Sequence, residues 1–353
     1  MKLLMKVWTT LWTIALSTLI VQQAAGASEQ VGVRQVAAPS KDRGITLDVT
    51  VWYPAHSGGK SVTLGENVFF AGTPALRDAP ISEGKFPLIL LSHGAGLAGN
   101  AQALSWLAVP LAEQGFIVAA PTHPGNAGAN RSAAETMKLW LRPGDITETL
   151  NAMEKETYFK EQVDYDEVGT LGLSMGGSTA LAIAGARIDP KRLAGYCDTD
   201  ALNASLCEWV RQSGVDLHAM DLRTAGRDNE DKRIRVAMAI DPAPVDVFDF
   251  KTFSQISIPV VLVNLGQPGK IPLTADSSEI AKAIPTATYS KIADASHYSM
   301  FAECKPGASE IAESEKVGDP ICMDGGGRTR SQIHTQLINM VVAAFTHALR
   351  TNR

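Results

Sequence analysis

The chain has 353 residues, of which 45% are hydrophobic and 20% are charged, and its formal net charge is −5. A length of this order suits one large α/β domain better than two small ones. An acidic composition without runs of basic residues argues against nucleic acid or an anionic membrane as a partner.

The first 27 residues have the composition of a signal peptide. Lys2 and Lys6 form a positive region, residues 7–21 are mostly apolar, and the small residues 25–27 match a cleavage site. The alternative is an uncleaved anchor helix, but hydroxyl side chains interrupt the apolar stretch, which is also short for a membrane span. We therefore predict a secreted or periplasmic protein without a stable membrane span after cleavage. Removal of both lysines takes its net charge from −5 to −7.

Apolar strands alternate with helical segments along the remaining chain, which is typical of a mostly parallel sheet with helices on both faces. Residues 46–53 alternate apolar and polar side chains, as expected of an antiparallel edge strand. The other predicted strands are 87–91, 116–120, 168–173, 235–240, 259–264 and 287–292, and the predicted helices are 101–114, 145–156, 175–186 and 332–349. We predict one three-layer α/β domain over residues 28–353.

Two segments depart from this alternation. Residues 57–85 are rich in glycine and proline and are predicted to be a loop. Residues 193–232 interrupt the strand–helix order as a long insertion, and such insertions at the carboxyl edge of a parallel sheet often form lids or substrate walls. We predict that this lid-like insertion covers the functional site.

A Gly-x-Ser-x-Gly pentapeptide at residues 172–176 joins the predicted strand 168–173 to a helix. A serine in such a sharp strand-to-helix turn has a strained backbone and an exposed hydroxyl, and the glycines permit close packing of neighbouring backbone. The helix N-terminus that follows offers free N–H groups to a developing negative charge. The alternative is a glycine-rich turn with a capping serine. The context favours Ser174 as the nucleophile of acyl transfer.

The general base is predicted to be His297. In sheets of this kind the serine, the acid and the histidine follow in that chain order at the carboxyl ends of different strands. Of the seven histidines, three precede the serine, two lie in the closing helix, and one lies in the insertion ahead of any acid on a later strand. His297 remains, in a loop just after the last predicted strand.

The acid is predicted to be Asp241. The strand 259–264 leads into a loop that begins without a carboxylate, whereas the preceding strand runs into Asp241 and Pro242. Proline stops the ladder there and leaves the carboxylate at the edge of the sheet. Asp294 is too close to His297 in sequence to reach its ring comfortably, and Asp276 is the alternative.

An oxyanion hole requires two backbone N–H groups, one from the residue after the nucleophile and one from the loop after an earlier strand. These positions correspond to Met175 and to Ala95 in the loop after strand 87–91. His93 in that loop is predicted to hold its shape. His123 also follows a strand, and it is predicted either to line a substrate pocket or to shape its turn.

All four cysteines lie in the exported part of the chain, where an even number indicates two disulfides. Of the three pairings, the local ones, Cys197 with Cys207 and Cys304 with Cys322, are favoured because each closes a polar, loop-like segment. Zinc binding is disfavoured because the usual Cys and His spacings are missing from the sequence.

Together these residues resemble the α/β-hydrolase superfamily, and within it the dienelactone-hydrolase-like branch that includes the platelet-activating factor acetylhydrolases. The resemblance runs from Trp-Tyr-Pro at 52–54 through Ser-His-Gly at 92–94 and the Ser174 turn to His297. An acid after the earlier strand points to the acetylhydrolase-like group rather than to cutinase-like relatives, and dienelactone hydrolases proper use a cysteine nucleophile. The resemblance implies a serine esterase without metal or organic cofactor.

The sequence therefore predicts hydrolysis of a small carboxylic ester through a covalent acyl-enzyme. The lid-like insertion favours short acyl groups. An acyltransferase or an amidase with the same three residues is the alternative, and a non-catalytic binding module is a remote one. The sequence predicts neither the natural substrate nor the oligomeric state.

Overall fold

The computed structural model describes residues 30–126 and 131–350. The predicted signal peptide, residues 1–27, lies outside these described residues. Among the helices that are described, none combines the length and apolar character required to cross a bilayer.

The described residues contain one sheet of ten strands, in the order β10-β9-β8-β7-β5-β6-β2-β1-β4-β3. In chain order the strands are Gln30–Ser40 (β1), Ile45–Ala55 (β2), Lys60–Leu64 (β3), Thr73–Arg77 (β4), Phe86–Ser92 (β5), Ile117–Pro121 (β6), Val163–Leu173 (β7), Ile234–Ile240 (β8), Val260–Leu265 (β9) and Ala287–Ile292 (β10). Strands β6, β5, β7, β8, β9 and β10 run parallel, and β2 joins them antiparallel beside β6. The carboxyl ends of the parallel strands therefore meet at one edge, where ligands bind in open α/β sheets.

Helices cover both faces of this sheet. Within the described ranges they are Ser105–Glu113 (α1), Ala133–Thr136 (α2), Arg142–Lys155 (α3), Met175–Ile183 (α4), Pro190–Ala194 (α5), Ala204–Gln212 (α6), Ser278–Ala283 (α7), Ala308–Ser314 (α8) and Arg330–Phe345 (α9). Along β5, Leu88 and Leu90 join the core on one face, whereas Ile89 and Leu91 join the core on the other. Alternation along a strand thus fills two cores, and the predicted three-layer α/β architecture is confirmed.

Two local predictions are wrong. Residues 46–53 do form an antiparallel strand, but β2 lies inside the sheet because β1, which was not predicted, pairs with its other side. Residues 57–85 are not all loop, since β3 and β4 pair within them and β4 extends the sheet beside β1. These strands are short and mostly solvent-facing, so they lack the buried apolar run on which strand prediction depends.

Both local disulfides are present. Cys197 is bonded to Cys207 within the lid-like insertion, and Cys304 is bonded to Cys322 in the segment that follows β10. The insertion contains α6, and its Val210 and Leu217 belong to the same buried cluster as Met175. The insertion therefore packs on the same face of the sheet as the helix that follows Ser174.

Candidate active site

Ser174 occupies a strained turn between β7 and α4. Its backbone angles are φ 53° and ψ −122°, a combination that non-glycine residues rarely adopt and that requires support from the surrounding structure. A Cβ on Gly172 would lie 1.9 Å from the carbonyl oxygen of Gly176, and a Cβ on Gly176 would lie 1.8 Å from that of Ser92. Only glycine fits at these two positions, which explains the pentapeptide in steric terms.

Ser174, His297 and Asp241 form one hydrogen-bonded chain. The Oγ atom of Ser174 is 3.1 Å from Nε2 of His297, and Nδ1 of His297 is 2.7 Å from Oδ2 of Asp241. The Asp241 carboxylate is fully buried, whereas the His297 ring is 22% exposed. A carboxylate that accepts from Nδ1–H leaves Nε2 free to accept the serine proton. The structure thus brings together the three side chains that the sequence predicts as nucleophile, base and acid.

The second carboxylate oxygen of Asp241 is also held. Its Oδ1 accepts hydrogen bonds from the Leu265 amide at 2.8 Å and from Nδ2 of Asn264 at 2.7 Å. Asn264 is itself fixed, because its Oδ1 accepts from the Ser277 amide and from the Tyr289 hydroxyl. The carboxyl end of β9 has no acidic residue, but the side-chain amide of Asn264 and the backbone amide of Leu265 there orient Asp241, which follows β8.

Sequence reasoning noted only the missing carboxylate at the end of β9 and overlooked Asn264. Asp276, the alternative acid, is partnered instead with the backbone amide of Ser278, and Asn264 and Leu265 hold the buried acid Asp241. A buried amide at the carboxyl end of a strand is the signal that could have identified Asn264.

The loop that carries His297 is braced by the segment next to the second disulfide. The hydroxyl of Ser296 donates to the carbonyl of Met323 at 2.8 Å, and the hydroxyl of Ser299 donates to Asp324 at 2.6 Å. From α9, the His334 ring lies 2.9 Å from the Ser299 carbonyl through Nε2. Burial lowers the pKa of His334 to about 4, so this ring is neutral and donates an N–H there.

The loop after β5 lies directly against the serine. A Cβ on Gly94 would stand 3.3 Å from Cβ and 3.7 Å from Oγ of Ser174. Ala95 follows in extended conformation, and Met175 is the first residue of α4. Among the described residues, neither the Ala95 amide nor the Met175 amide donates a hydrogen bond to another protein group. Two free amides next to a serine hydroxyl are what an oxyanion hole requires.

His123 does not line the surface of the site. Its ring is fully buried, with Nε2 at 2.9 Å from Oγ of Ser92 and Nδ1 at 2.8 Å from Oδ2 of Asp145. Arg43 in turn pairs with Asp145 at 2.7 Å. Because both ring nitrogens are used internally, the substrate-binding alternative for His123 is corrected in favour of a role in shaping its turn.

Helix α6 of the insertion contacts two other segments of the protein. The Arg131 guanidinium stacks over the Trp209 ring at 4.4 Å. Ser205, four residues earlier on the same helix, donates to Asp319 at 3.2 Å, and Asp319 also accepts from the hydroxyl of Tyr298, the residue after His297. The insertion is thus linked through Asp319 to the loop that carries His297.

Comparison with known proteins agrees with this architecture. Residues 67–144 match the family described as platelet-activating factor acetylhydrolase, isoform II. A platelet-activating factor acetylhydrolase from Canis lupus familiaris is 31% identical over a match that covers 32% of this chain and 36% of the canine protein. The chain therefore spans just over a third of the length of this curated relative.

A ferulic acid esterase from Streptomyces cinnamoneus has a similar solved structure. The TM-score is 0.56 at 16% identity, and the match covers 93% of this chain and 92% of that one. A similarity at this level of identity concerns the fold. The protein thus has an α/β-hydrolase-type fold and resembles the platelet-activating factor acetylhydrolases, the group that its sequence motifs predict.

Proposed function

We propose that this protein hydrolyses carboxylic esters through an acyl-enzyme on Ser174. The observation that carries the proposal is the hydrogen-bonded chain from Ser174 through His297 to Asp241 beside two free backbone amides. A serine hydroxyl is a weak nucleophile on its own, and this arrangement supplies the base that activates it and the carboxylate that orients the base.

In the acylation step, Oγ of Ser174 attacks the carbonyl carbon of the ester while Nε2 of His297 takes the hydroxyl proton. Asp241 stabilises the imidazolium that forms and remains ionised itself. The carbonyl oxygen becomes an oxyanion and accepts hydrogen bonds from the amides of Ala95 and Met175. The tetrahedral intermediate then collapses, the bond to the alcohol oxygen breaks, and His297 returns its proton to the departing alcohol.

In the deacylation step, His297 takes a proton from a water molecule, whose oxygen attacks the acyl carbon. A second oxyanion forms in the same hole and collapses by breaking the bond to Oγ. The proton on His297 returns to Ser174, and the acid is released. This cycle uses only the side chains and amides of the protein.

The substrate proposed is a small ester with a short acyl group. Helix α6 of the lid-like insertion contacts Asp319, which also binds the residue after His297, and this link supports a partly enclosed pocket. The canine relative is named as an acetylhydrolase, and this name supports a short acyl group here as well.

The proposed setting is outside the cytoplasm. The signal-like composition of residues 1–27 and the two disulfides support export, because disulfides persist in oxidising compartments. A single α/β-hydrolase domain from residue 28 onward is proposed as the mature protein.

The test is hydrolysis of p-nitrophenyl esters from acetate to palmitate by the oxidised mature protein, beside Ser174→Ala. We expect turnover that is fastest for the short esters and that falls by about 10⁴-fold or more in the variant, because the serine and its base act as a unit. A fluorophosphonate probe should label the wild-type protein at Ser174 in a one-to-one ratio.

Turnover that survives Ser174→Ala would refute the serine mechanism. Fast hydrolysis of palmitate would refute the enclosed pocket. Labelling by the probe without hydrolysis of any ester would redirect the proposal to an amidase or an acyltransferase. Both form an acyl-enzyme on the serine. An amidase takes the acyl group from an amide, and an acyltransferase passes it to an alcohol or an amine instead of water.

A further inference from the structure

We propose that Arg142 is a positioning residue for the oxyanion hole, because its buried guanidinium ties together the two backbone segments that carry the Ala95 and Met175 amides. The inference rests on the proposed function and adds to it a residue that lies below the site. Arg142 is the first residue of α3 and is 2% exposed. Among the described residues its Nε and Nη2 atoms have hydrogen-bond partners, whereas its buried Nη1 atom has none.

One branch of the guanidinium holds the loop after β5. Its Nη2 donates a hydrogen bond to the carbonyl oxygen of His93, the residue before Gly94. The contact is charge-assisted and therefore stronger than a bond between neutral groups. The His93 carbonyl belongs to the peptide between His93 and Gly94, and the next peptide contains the Ala95 amide. The bond therefore anchors the loop immediately before that amide.

The other branch holds the start of the serine helix. Nε of Arg142 donates to Oγ1 of Thr179 at 3.0 Å, and this hydroxyl donates in turn to the carbonyl of Met175 at 3.0 Å. Arg142 thus reaches the residue that supplies the second amide through one intermediate side chain. A planar guanidinium with several fixed donors suits such a bridge, and a lysine ammonium does not.

The His93 ring completes the alignment of the first amide. Because the backbone N–H of His123 donates to Nε2 of His93 at 2.9 Å, that nitrogen is an acceptor and the proton lies on Nδ1. Nδ1–H then donates to the carbonyl of Gly94 at 2.7 Å. In a planar trans peptide the C=O and the following N–H point in opposite directions, so this bond also fixes the direction of the Ala95 amide.

The positive charge of Arg142 also favours an oxyanion at these two amides. Burial lowers the pKa of its guanidinium to about 9, with an opposing contribution from Asp145, and the group stays charged at neutral pH. Within the described chain Arg142 has no carboxylate at salt-bridge distance, because Asp145 pairs with Arg43. A buried cation without an ion-pair partner favours negative charge that develops nearby, and its field is strong where water is excluded.

The decisive experiment compares Arg142→Lys, Thr179→Val and Thr179→Ser with the wild-type protein. Rates are expressed per site titrated with the fluorophosphonate, so that partly folded protein does not lower the measured kcat. Arg233→Lys is the matched control, because Arg233 is likewise held by hydrogen bonds from its guanidinium but precedes β8 at the opposite edge of the sheet.

We expect kcat for p-nitrophenyl acetate to fall about 10- to 100-fold in Arg142→Lys and about tenfold in Thr179→Val, less than when an oxyanion donor is removed outright. KM should stay within about twofold, because the interaction strengthens only in the transition state. Affinity for a boronic acid inhibitor, whose adduct is tetrahedral, should fall in parallel with kcat/KM. Thr179→Ser keeps the hydroxyl and should retain wild-type values, as should Arg233→Lys.

A purely structural role would lower Tm but leave kcat per titrated site and inhibitor affinity within about twofold of wild type, and that result would overturn the proposal. If Arg142→Lys does not fold, the contrast between Thr179→Val and Thr179→Ser decides. If the wild-type protein neither hydrolyses esters nor reacts with the probe, the proposed function fails first and this inference fails with it.

Discussion

Two Ser–His–Asp chains with nearly the same hydrogen bonds lie within the described residues. In one, Ser174 contacts His297 at 3.1 Å and His297 contacts Asp241 at 2.7 Å. In the other, Ser92 contacts His123 at 2.9 Å and His123 contacts Asp145 at 2.8 Å. The second chain lies beneath the first and is closed to solvent, with Ser92 and Asp145 at 0% exposure.

The difference between them shows that hydrogen-bond geometry alone does not make a nucleophile. Ser174 projects from a strained turn at a helix N-terminus, whereas Ser92 ends the regular strand β5. His297 keeps part of its ring in solvent, but burial lowers the pKa of His123 well below its usual value and keeps that ring neutral. We therefore regard the buried chain as a structural support of the oxyanion loop and the exposed one as the candidate catalyst.

The largest expected contrast comes from exchanging the two serines for alanine. Ser174→Ala should lower kcat by about 10⁴-fold or more with little change in stability. Ser92→Ala leaves a buried histidine nitrogen without its donor, so it should lower the free energy of unfolding by about 1–3 kcal/mol while kcat per titrated site stays within about threefold. Esterase assays and urea unfolding of both variants measure this, and equal losses of activity would contradict it.

The two aspartates that were candidates for the acid provide the second test. Asp241→Asn should lower kcat by about 10⁴-fold, because an amide in place of the carboxylate favours the wrong histidine tautomer. Asp276→Asn changes a group whose hydrogen bond is to the nearby Ser278 amide, and it should change kcat by less than about threefold. A large effect of Asp276→Asn with a small effect of Asp241→Asn would reverse the assignment.

The buried histidines predict how stability depends on pH. Burial lowers the pKa of His93 and His123 well below 6.5 and that of His334 to about 4. Below pH 6.5 the unfolded chain therefore binds more protons than the folded one, and stability falls as the pH falls. Three such groups together should lower the free energy of unfolding by about 3–4 kcal/mol between pH 7.5 and 5.5.

Urea unfolding at several pH values measures this slope, and His334→Phe provides the control. Phenylalanine preserves a ring against Trp106, with which His334 stacks at 3.7 Å, but it removes the titrating group. The slope should decrease by about a third in this variant. An unchanged slope would show that other groups cause the pH dependence.

The smallest expected effect distinguishes the two disulfides. Replacing either cysteine pair with alanine should lower the free energy of unfolding by about 3 kcal/mol or less, since each closes a short loop. The Cys304 and Cys322 pair lies next to Met323 and Asp324, which hold the His297 loop directly, so its loss should also lower kcat about tenfold. Ser205, near Cys207, reaches that loop only through Asp319, so loss of the first pair should change kcat much less. Equal kcat values for the two double variants would contradict this bracing role.

The sequence by itself determined the features that depend on local pattern. Gly172 and Gly176 around Ser174, the apolar strands before Asp241 and His297, and the alternation of strands and helices are enough to predict which edge of the sheet carries the site. The local disulfides follow from spacing in the same way, because short polar loops bring their ends together.

Only the tertiary structure decided what lies beneath that site. Arg43 meets Asp145 across a separation of 102 residues, and Arg142 meets Thr179 across 37. The structure likewise placed His123 in the interior and made Asn264 a partner of Asp241. Buried polar groups must find hydrogen-bond partners wherever packing brings them together, and local sequence pattern carries no record of those distant partners.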